Sequence, residues 1–255
     1  MNLQNNRNKM RLVIILCLLN FIGNPLLKAQ EKDPQVILKL IPVFNNEVLK
    51  LNDGIYVTDK KDTINIDVFK FYLSSIIFEY ENVITSKNQK SFLFDIEDTL
   101  SFTLNLSLKN GKYSFFEMLI GTDSITNVSG AMDGDLDPIK GMYWAWNTGY
   151  INSKMEGRFK NNTQVQKKFE FHIGGYLKPF ESCRKIKIQF TETVINNNDI
   201  FKIECYADAS YWFNGKNAIE LTSLNKIVHP CKESIQVADN YSEMIRLKNA
   251  KVVGK

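Results

Sequence analysis

Apolar and polar residues alternate over many segments of the chain, and this alternation is the main structural signal in the sequence. Between residues 100 and 108 every second residue is apolar and every residue between is polar. Side chains of a strand point to opposite faces in turn, so this period predicts a strand with one buried face. Similar patterns or short apolar runs predict further strands at residues 36–44, 64–78, 92–96, 169–173 and 186–190.

Turn-forming clusters separate the predicted strands, among them Asn110-Gly111 and the asparagines at 196–198. Helical periodicity is scarce: a short helix is predicted within residues 235–245, and residues 218–228 fit either a strand or a helix. Many strands and few helices predict an all-β fold, an antiparallel β-sandwich-like domain with short peripheral helices. No linker, low-complexity tract or fixed repeat is found, so we expect one domain over residues 30–255.

The first 29 residues have the layout of a secretory signal peptide. A basic start precedes an apolar run over residues 12–22, and Ala29 offers a small residue for cleavage. A bilayer needs about 20 apolar residues, so the run is too short to span it. We therefore expect an exported, periplasmic or extracellular protein with no transmembrane segment in the mature chain. A short N-terminal membrane anchor is the alternative.

The charge of the chain changes when this segment is removed. The sequence has 32 Lys and Arg against 28 Asp and Glu, but residues 1–29 hold four basic residues and no acidic one. The remaining chain is balanced, and no basic stripe is left to neutralise phosphates. We expect no nucleic-acid partner.

Three cysteines follow the signal segment, at Cys183, Cys205 and Cys231. An odd number allows at most one disulfide, and export permits it, but the sequence leaves the pairing open. No Cys-x-x-Cys or Cys/His spacing indicates zinc.

Catalytic motifs are absent from the sequence. It has no Gly-x-Ser-x-Gly elbow and no phosphate-binding glycine loop, so we expect that the protein is not an enzyme. The two histidines are His172 and His229. His172 alternates with apolar neighbours and so faces away from the core, either as an ordinary strand histidine or as a metal ligand. His229 precedes Pro230, which favours extended structure, and it is either a loop residue or a second ligand.

Two of the three tryptophans, Trp144 and Trp146, lie two residues apart. On a strand they would point to the same face, as part of the core or as a platform for stacking a sugar. The preceding acids Asp133, Asp135 and Asp137 favour turn formation over a calcium loop, because the EF-hand pattern is not complete.

Five short segments follow one another along the chain in the same order as the motifs of a known protein family: 69–75, 120–124, 134–157, 171–175 and 238–241. The most specific is the Gly-Met-Tyr-Trp-x-Trp-x-x-Gly-Tyr motif that begins at Gly141. Together the segments resemble the copper-binding MbnP-like domain family of exported bacterial proteins.

The resemblance implies a β-rich domain that holds copper. In relatives, copper(I) is bound by two histidines and a kynurenine, which a di-haem peroxidase-like partner makes by oxidising a tryptophan. Carried over, Trp144 or Trp146 is the modifiable residue, with Trp144 favoured, and His172 is a ligand. A complete site needs His229, a methionine such as Met142, or a partner. The alternative is a metal-free interaction module, in which the tryptophans are core and His172 bonds to the backbone.

Overall fold

Long β-strands dominate the structure, as the alternating pattern predicts. The computed structural model describes residues 32–80, 83–147, 149–160 and 165–253, so the predicted signal peptide lies outside the described residues. The strands are β1 (Gln35–Phe44), β2 (Glu47–Val48), β3 (Tyr56–Val57), β4 (Thr63–Tyr80), β5 (Val83–Asn88), β6 (Phe92–Asp95), β7 (Thr103–Ser107), β8 (Gly111–Ile120), β9 (Tyr143–Trp144), β10 (Gly149–Lys160), β11 (Gln166–Gly174), β12 (Arg184–Ile195), β13 (Ile200–Asp208), β14 (Lys226–Ile227) and β15 (Ile245–Val253).

Helices are short, as expected. They are α1 (Ser124–Val128), α2 (Tyr211–Asn214) and α3 (Lys232–Tyr241), with 3-10 turns at Thr99–Phe102, Gly134–Leu136 and Pro138–Lys140. Among the described residues, no helix has the length and apolar character that a membrane span requires.

The strands form two sheets. In the smaller sheet the order is β15-β13-β1-β2. On the side of β1 away from β13, β2 pairs with the end at Phe44 and β7 pairs with the end at Gln35. In the larger sheet the order is β12-β8-β4-β10-β11-β14. The strands β3, β5 and β6 add to β4, and β9 pairs with β10. The 18-residue strand β4 is thus the centre of the larger sheet.

One hydrophobic core joins the sheets, which makes the fold a sandwich. The main cluster takes Leu38 from β1 and Ile203 from β13 in the smaller sheet. It takes Phe69 from β4 and Phe171 from β11 in the larger one. Every second residue of these strands is buried, so one face of each strand points inward and the other outward.

The structure corrects several details of the sequence interpretation. Two strand pairs are parallel, β1 with β13 and β11 with β14, so the sheets are mixed rather than antiparallel throughout. Residues 99–102 form a 3-10 turn because Asp98 caps it, accepting from Leu100 N at 3.0 Å. The C-terminal helix ends at Tyr241, and Ile245 already belongs to β15. Cys183, Cys205 and Cys231 are free thiols, so no disulfide joins them.

A second, smaller cluster lies on the outer face of the larger sheet. Tyr72 of β4 lies between the core residues Phe71 and Leu73 in the chain, so its ring points to the outer face of the sheet. It packs with the buried side chains Leu93, Met142, Trp144, Tyr150 and Ile151. The segment between α1 and β10 covers these rings and builds the site described next.

Candidate functional site

The two tryptophans lie in a tight hairpin rather than along one strand. Trp144 ends β9, Asn147 N donates to Trp144 O at 3.3 Å, and β10 pairs back against β9. Trp146 lies in the turn, so the expectation that both residues share a strand face is wrong. Their rings nevertheless touch, with centroids 5.6 Å apart and an interplanar angle of 41°. Trp144 is 6% exposed and Trp146 is 66% exposed.

Hydrogen bonds from buried tyrosines fix the segment before this hairpin. Tyr72 Oη donates to Asp135 O at 3.0 Å, and Tyr150 Oη lies 3.1 Å from both Gly130 O and Leu136 O. The Asp135 carboxylate accepts from Leu93 N at 3.2 Å. The acidic loop is therefore used to anchor backbone, which agrees with a turn-forming role for its aspartates.

Trp144 covers the end of β11. A Cβ placed on Gly174 would lie 2.6 Å from the Trp144 ring and 2.8 Å from Tyr150 O, so only glycine admits this approach. Residues 172 and 174 lie on the same face of β11, and the core residue Ile173 between them points to the opposite face. The Trp144 ring and His172 therefore share the outer face of the sheet, two residues apart along β11.

His172 is held by polar side chains of the neighbouring strand. Its Nε2 lies 2.7 Å from Glu156 Oε1, and Lys154 Nζ lies 3.0 Å from the same oxygen. The His172 side chain is 19% exposed. Burial lowers the pKa of His172; the bond to Glu156 opposes this and the charge of Lys154 adds to it. The imidazole is therefore neutral at pH 7.

Glu156 is kept as a carboxylate. Burial raises its pKa, but the hydrogen bonds from Lys154 and His172 and the charge of Lys154 outweigh burial, and the net pKa of Glu156 is lowered. Sequence reasoning missed both Lys154 and Glu156. Their spacing of two puts them on one face of β10, but only the β10–β11 register, which pairs Lys154 with His172, shows which residue they face.

His229 follows the short strand β14 and is exposed. Ile227 pairs with Phe171, and a Cβ on Gly175 would lie 3.2 Å from Pro230 Cβ. The loop that carries His229 therefore runs past the same end of β11 as His172. Pro230 and Trp144 also line one groove of about 240 Å³.

Of the four predicted site residues, the two tryptophans are in ring contact, and strand register places His172 and the loop of His229 along the same end of β11. Within the described residues there is no group of three or more His, Cys, Asp or Glu side chains that could hold a metal ion. Met142 is fully buried in the cluster that contains Trp144.

These features define a class of protein: a β-sandwich with an aromatic hairpin folded over the histidine-bearing end of its larger sheet. The sequence profile of the MbnP family matches residues 33–231. The chain belongs to the MbnP family, which confirms the resemblance read from its motifs.

One solved structure is similar to this chain, "MbnP from Methylosinus trichosporium". The two share 9% sequence identity with a TM-score of 0.45, and the match covers 67% of this chain and 75% of the other. No curated protein matches the sequence.

Proposed function

We propose that this protein is an exported copper-binding protein, not itself an enzyme, and that it holds copper at the end of the larger sheet where His172 lies. Membership of the MbnP family supports this. One observation carries it: Trp144, from the most specific family motif, packs on Gly174, which lies two residues after His172 on the same face of β11. The motif and the imidazole come from distant parts of the sequence and meet on one sheet face.

The donor types at this place fit copper. Neutral imidazole is a good copper ligand, and thioether sulfur favours copper(I). His172 supplies a neutral imidazole, and His229, on the loop after β14, offers a second imidazole ring. Met142 offers a buried thioether in the same aromatic cluster. Because the described residues contain no larger ligand group, copper at this site has few protein ligands.

The proposal includes the oxidation of a tryptophan to kynurenine by a di-haem peroxidase-like partner. With two equivalents of peroxide as oxidant, the partner would cleave the indole C2–C3 bond, and hydrolysis would release C2 as formate. The product would have an aryl amine and a ketone, which add donors to a site that is short of them. Trp144 was favoured by sequence, but an external enzyme needs access to the ring. The exposed Trp146 meets that need, and its contact with Trp144 keeps it at the site.

Copper(I) competition against a chromophoric chelator tests the proposal. We expect the wild-type chain to take up one copper(I), and His172→Ala to bind at least about tenfold more weakly, because a ligand is lost. Lys168→Ala is the matched control, since it changes an exposed residue of the same strand and should bind like wild type. His229→Ala tests the second imidazole in the same assay.

Peptide mapping of protein from the native host tests the modification. We expect kynurenine at Trp146 or Trp144, and an unmodified residue at the buried Trp212. Unmodified tryptophans together with no copper(I) uptake would contradict the proposed function.

That negative result would favour the second candidate, a metal-free interaction module. The groove beside Trp144 has exposed apolar side chains on its rim, Leu177 at 64% and Phe180 at 38% exposed, and the Trp146 ring adds to them. Such clustering of exposed apolar side chains is typical of docking surfaces.

A further inference from the structure

Two strands of the larger sheet place Glu156 beside His172. Lys154 and Glu156 lie on the outer face of β10, because Met155 between them is in the core. In the β10–β11 register Lys154 is opposite His172 and Glu156 is opposite Glu170. Glu156 thus reaches His172 diagonally, with Oε1 at 2.7 Å from Nε2.

The two facing carboxylates have different partners. Glu170 pairs with Lys226 at 2.8 Å, toward β14, in an exposed ion pair. Glu156 pairs with Lys154 at 3.0 Å and with the His172 ring. Glu170 is therefore drawn away from the ring while Glu156 is directed at it, although both lie on the same sheet face.

We infer that Glu156 is a positioning residue, which accepts the Nε2–H of His172 and so leaves Nδ1 as the nitrogen that binds the metal. The identity of the metal rests on the proposed copper function, whereas the choice of ring nitrogen does not.

The physical basis is the chemistry of neutral imidazole. One ring nitrogen carries the proton and the other the lone pair, and the hydrogen bond at one nitrogen sets the role of the other. A carboxylate can only accept, so Glu156 requires the proton at Nε2. Glu156 is also the one hydrogen-bond partner of the His172 ring among residues 32–80, 83–147, 149–160 and 165–253. Metal-binding histidines commonly have such a carboxylate partner, and its removal typically costs about 10- to 100-fold in affinity.

The ion pair with Lys154 strengthens this arrangement. Lys154 neutralises Glu156 in a site that is largely closed to water, with 17% and 29% of the two side chains exposed. On the next strand, Lys70 lies opposite Lys154, and its charge is neutralised by Asp95 at 2.7 Å. The ion pair is neutral as a whole, and Lys154 holds the ionised carboxylate of Glu156 in place as the acceptor for His172.

Nitrogen-15 NMR of the metal-free protein tests the tautomer directly. In wild type at pH 8 we expect His172 to show a protonated Nε2 and an unprotonated Nδ1. Glu156→Ala should give a mixture of tautomers, and Glu156→Gln should keep the wild-type pattern, because the amide oxygen still accepts. Glu170→Ala is the matched control and should keep it too. A wild-type tautomer with the proton at Nδ1, or an unchanged tautomer in Glu156→Ala, would overturn the inference.

Copper(I) titration of the same variants tests the consequence for binding. We expect Glu156→Ala to bind about 10- to 100-fold more weakly than wild type, and Glu170→Ala to bind equally well. Equal affinity of Glu156→Ala and wild type would overturn the positioning role. Urea unfolding of both variants shows whether either has lost its fold. A wild-type protein with the expected tautomer but no copper(I) uptake would overturn the copper function and support the orientation by Glu156.

Discussion

At the scale of single residues, the protonation state of His172 is set by its burial and by the side chains of the neighbouring strand. Alternation alone predicts that it faces away from the core, and the structure agrees. Its neutral state comes from burial and from Lys154 on the next strand. A group whose pKa is lowered by folding binds its proton less readily in the folded state, so protonation of His172 opposes folding.

The first prediction concerns the pH dependence of stability. The unfolded chain takes up a proton at His172 as the pH falls below about 6.5, whereas the folded chain does so only at lower pH. The stability that neutral His172 contributes is therefore present above this pH and is lost as the pH falls toward the lowered pKa of the folded state. We expect His172→Gln to lose less stability than wild type between pH 7.5 and pH 5.

Urea unfolding at several pH values measures this difference. The matched control is Gln166→Ala, which changes an exposed, uncharged residue of the same strand and should follow the wild-type profile. If wild type and His172→Gln had parallel pH profiles, the account of His172 given above would be wrong.

Sequence could predict only part of the site, for reasons of geometry. The outward direction of His172 and the importance of the Trp144 motif follow from period and composition. The turn at Trp146 does not, because a two-residue strand is too short to show a period. Glu156 also could not be assigned, because its role depends on the register between two strands, and a slip of one residue would turn it to the other face.

At the scale of elements, the family segment 238–241 is explained by how α3 attaches to the sheets. Asn240 Oδ1 accepts from Asn217 N at 2.7 Å, and its Nδ2 donates to Asn217 O at 2.7 Å and to Trp212 O at 3.2 Å. Tyr241 Oη donates to Ser182 O at 2.6 Å. Asp239 pairs with Arg184 of β12 at 2.8 Å. Three successive residues thus bind three other segments, which fixes α3 in place.

The second prediction follows from the burial of Asn240. Asn240→Ala removes these three hydrogen bonds and a fourth from Asn217 Nδ2 at 3.4 Å, and it leaves backbone groups of α2 and of the loop at Asn217 without partners. Each such group costs about 1–3 kcal/mol when buried. We expect a loss of at least about 2 kcal/mol in the free energy of unfolding, measured by urea denaturation. The control is Asn249→Ala, an exposed position on β15, which should change stability by less than about 0.5 kcal/mol. A small effect of Asn240→Ala would show that α3 is held chiefly by apolar packing.

Element order was predicted better than element pairing. The predicted strands correspond to β1, β4, β6, β7, β11 and β12, since each carries the period of two or an apolar run. The parallel pairing of β1 with β13 cannot be predicted from sequence, because about 150 residues and every strand of the larger sheet except β14 intervene. The short strand β14 within residues 218–228 also has too few residues to show its type.

At the scale of the whole molecule, the sandwich core explains why three thiols stay reduced. Cys205 is fully buried in the main core, and burial raises its pKa to about 12. Cys183 is half-buried and its thiol donates to Thr122 O at 3.0 Å. Burial also raises the pKa of Cys183 to about 12. Cys231 is the N-cap residue of α3. Burial raises its pKa as well, although hydrogen bonds from the helix backbone oppose this.

The third prediction is therefore a ranking of thiol reactivity. The thiolate is the form that attacks a disulfide reagent, and a thiol with a pKa of about 12 is ionised in only about one molecule in ten thousand at pH 8. In the native chain from Gln30 onward, we expect Ellman's reagent to label Cys231 first, and Cys205 and Cys183 only after unfolding in urea. Cys231→Ser should abolish the native labelling and leave two thiols for the unfolded state. Rapid native labelling of Cys205 would contradict this ranking, because Cys205 is fully buried in the core.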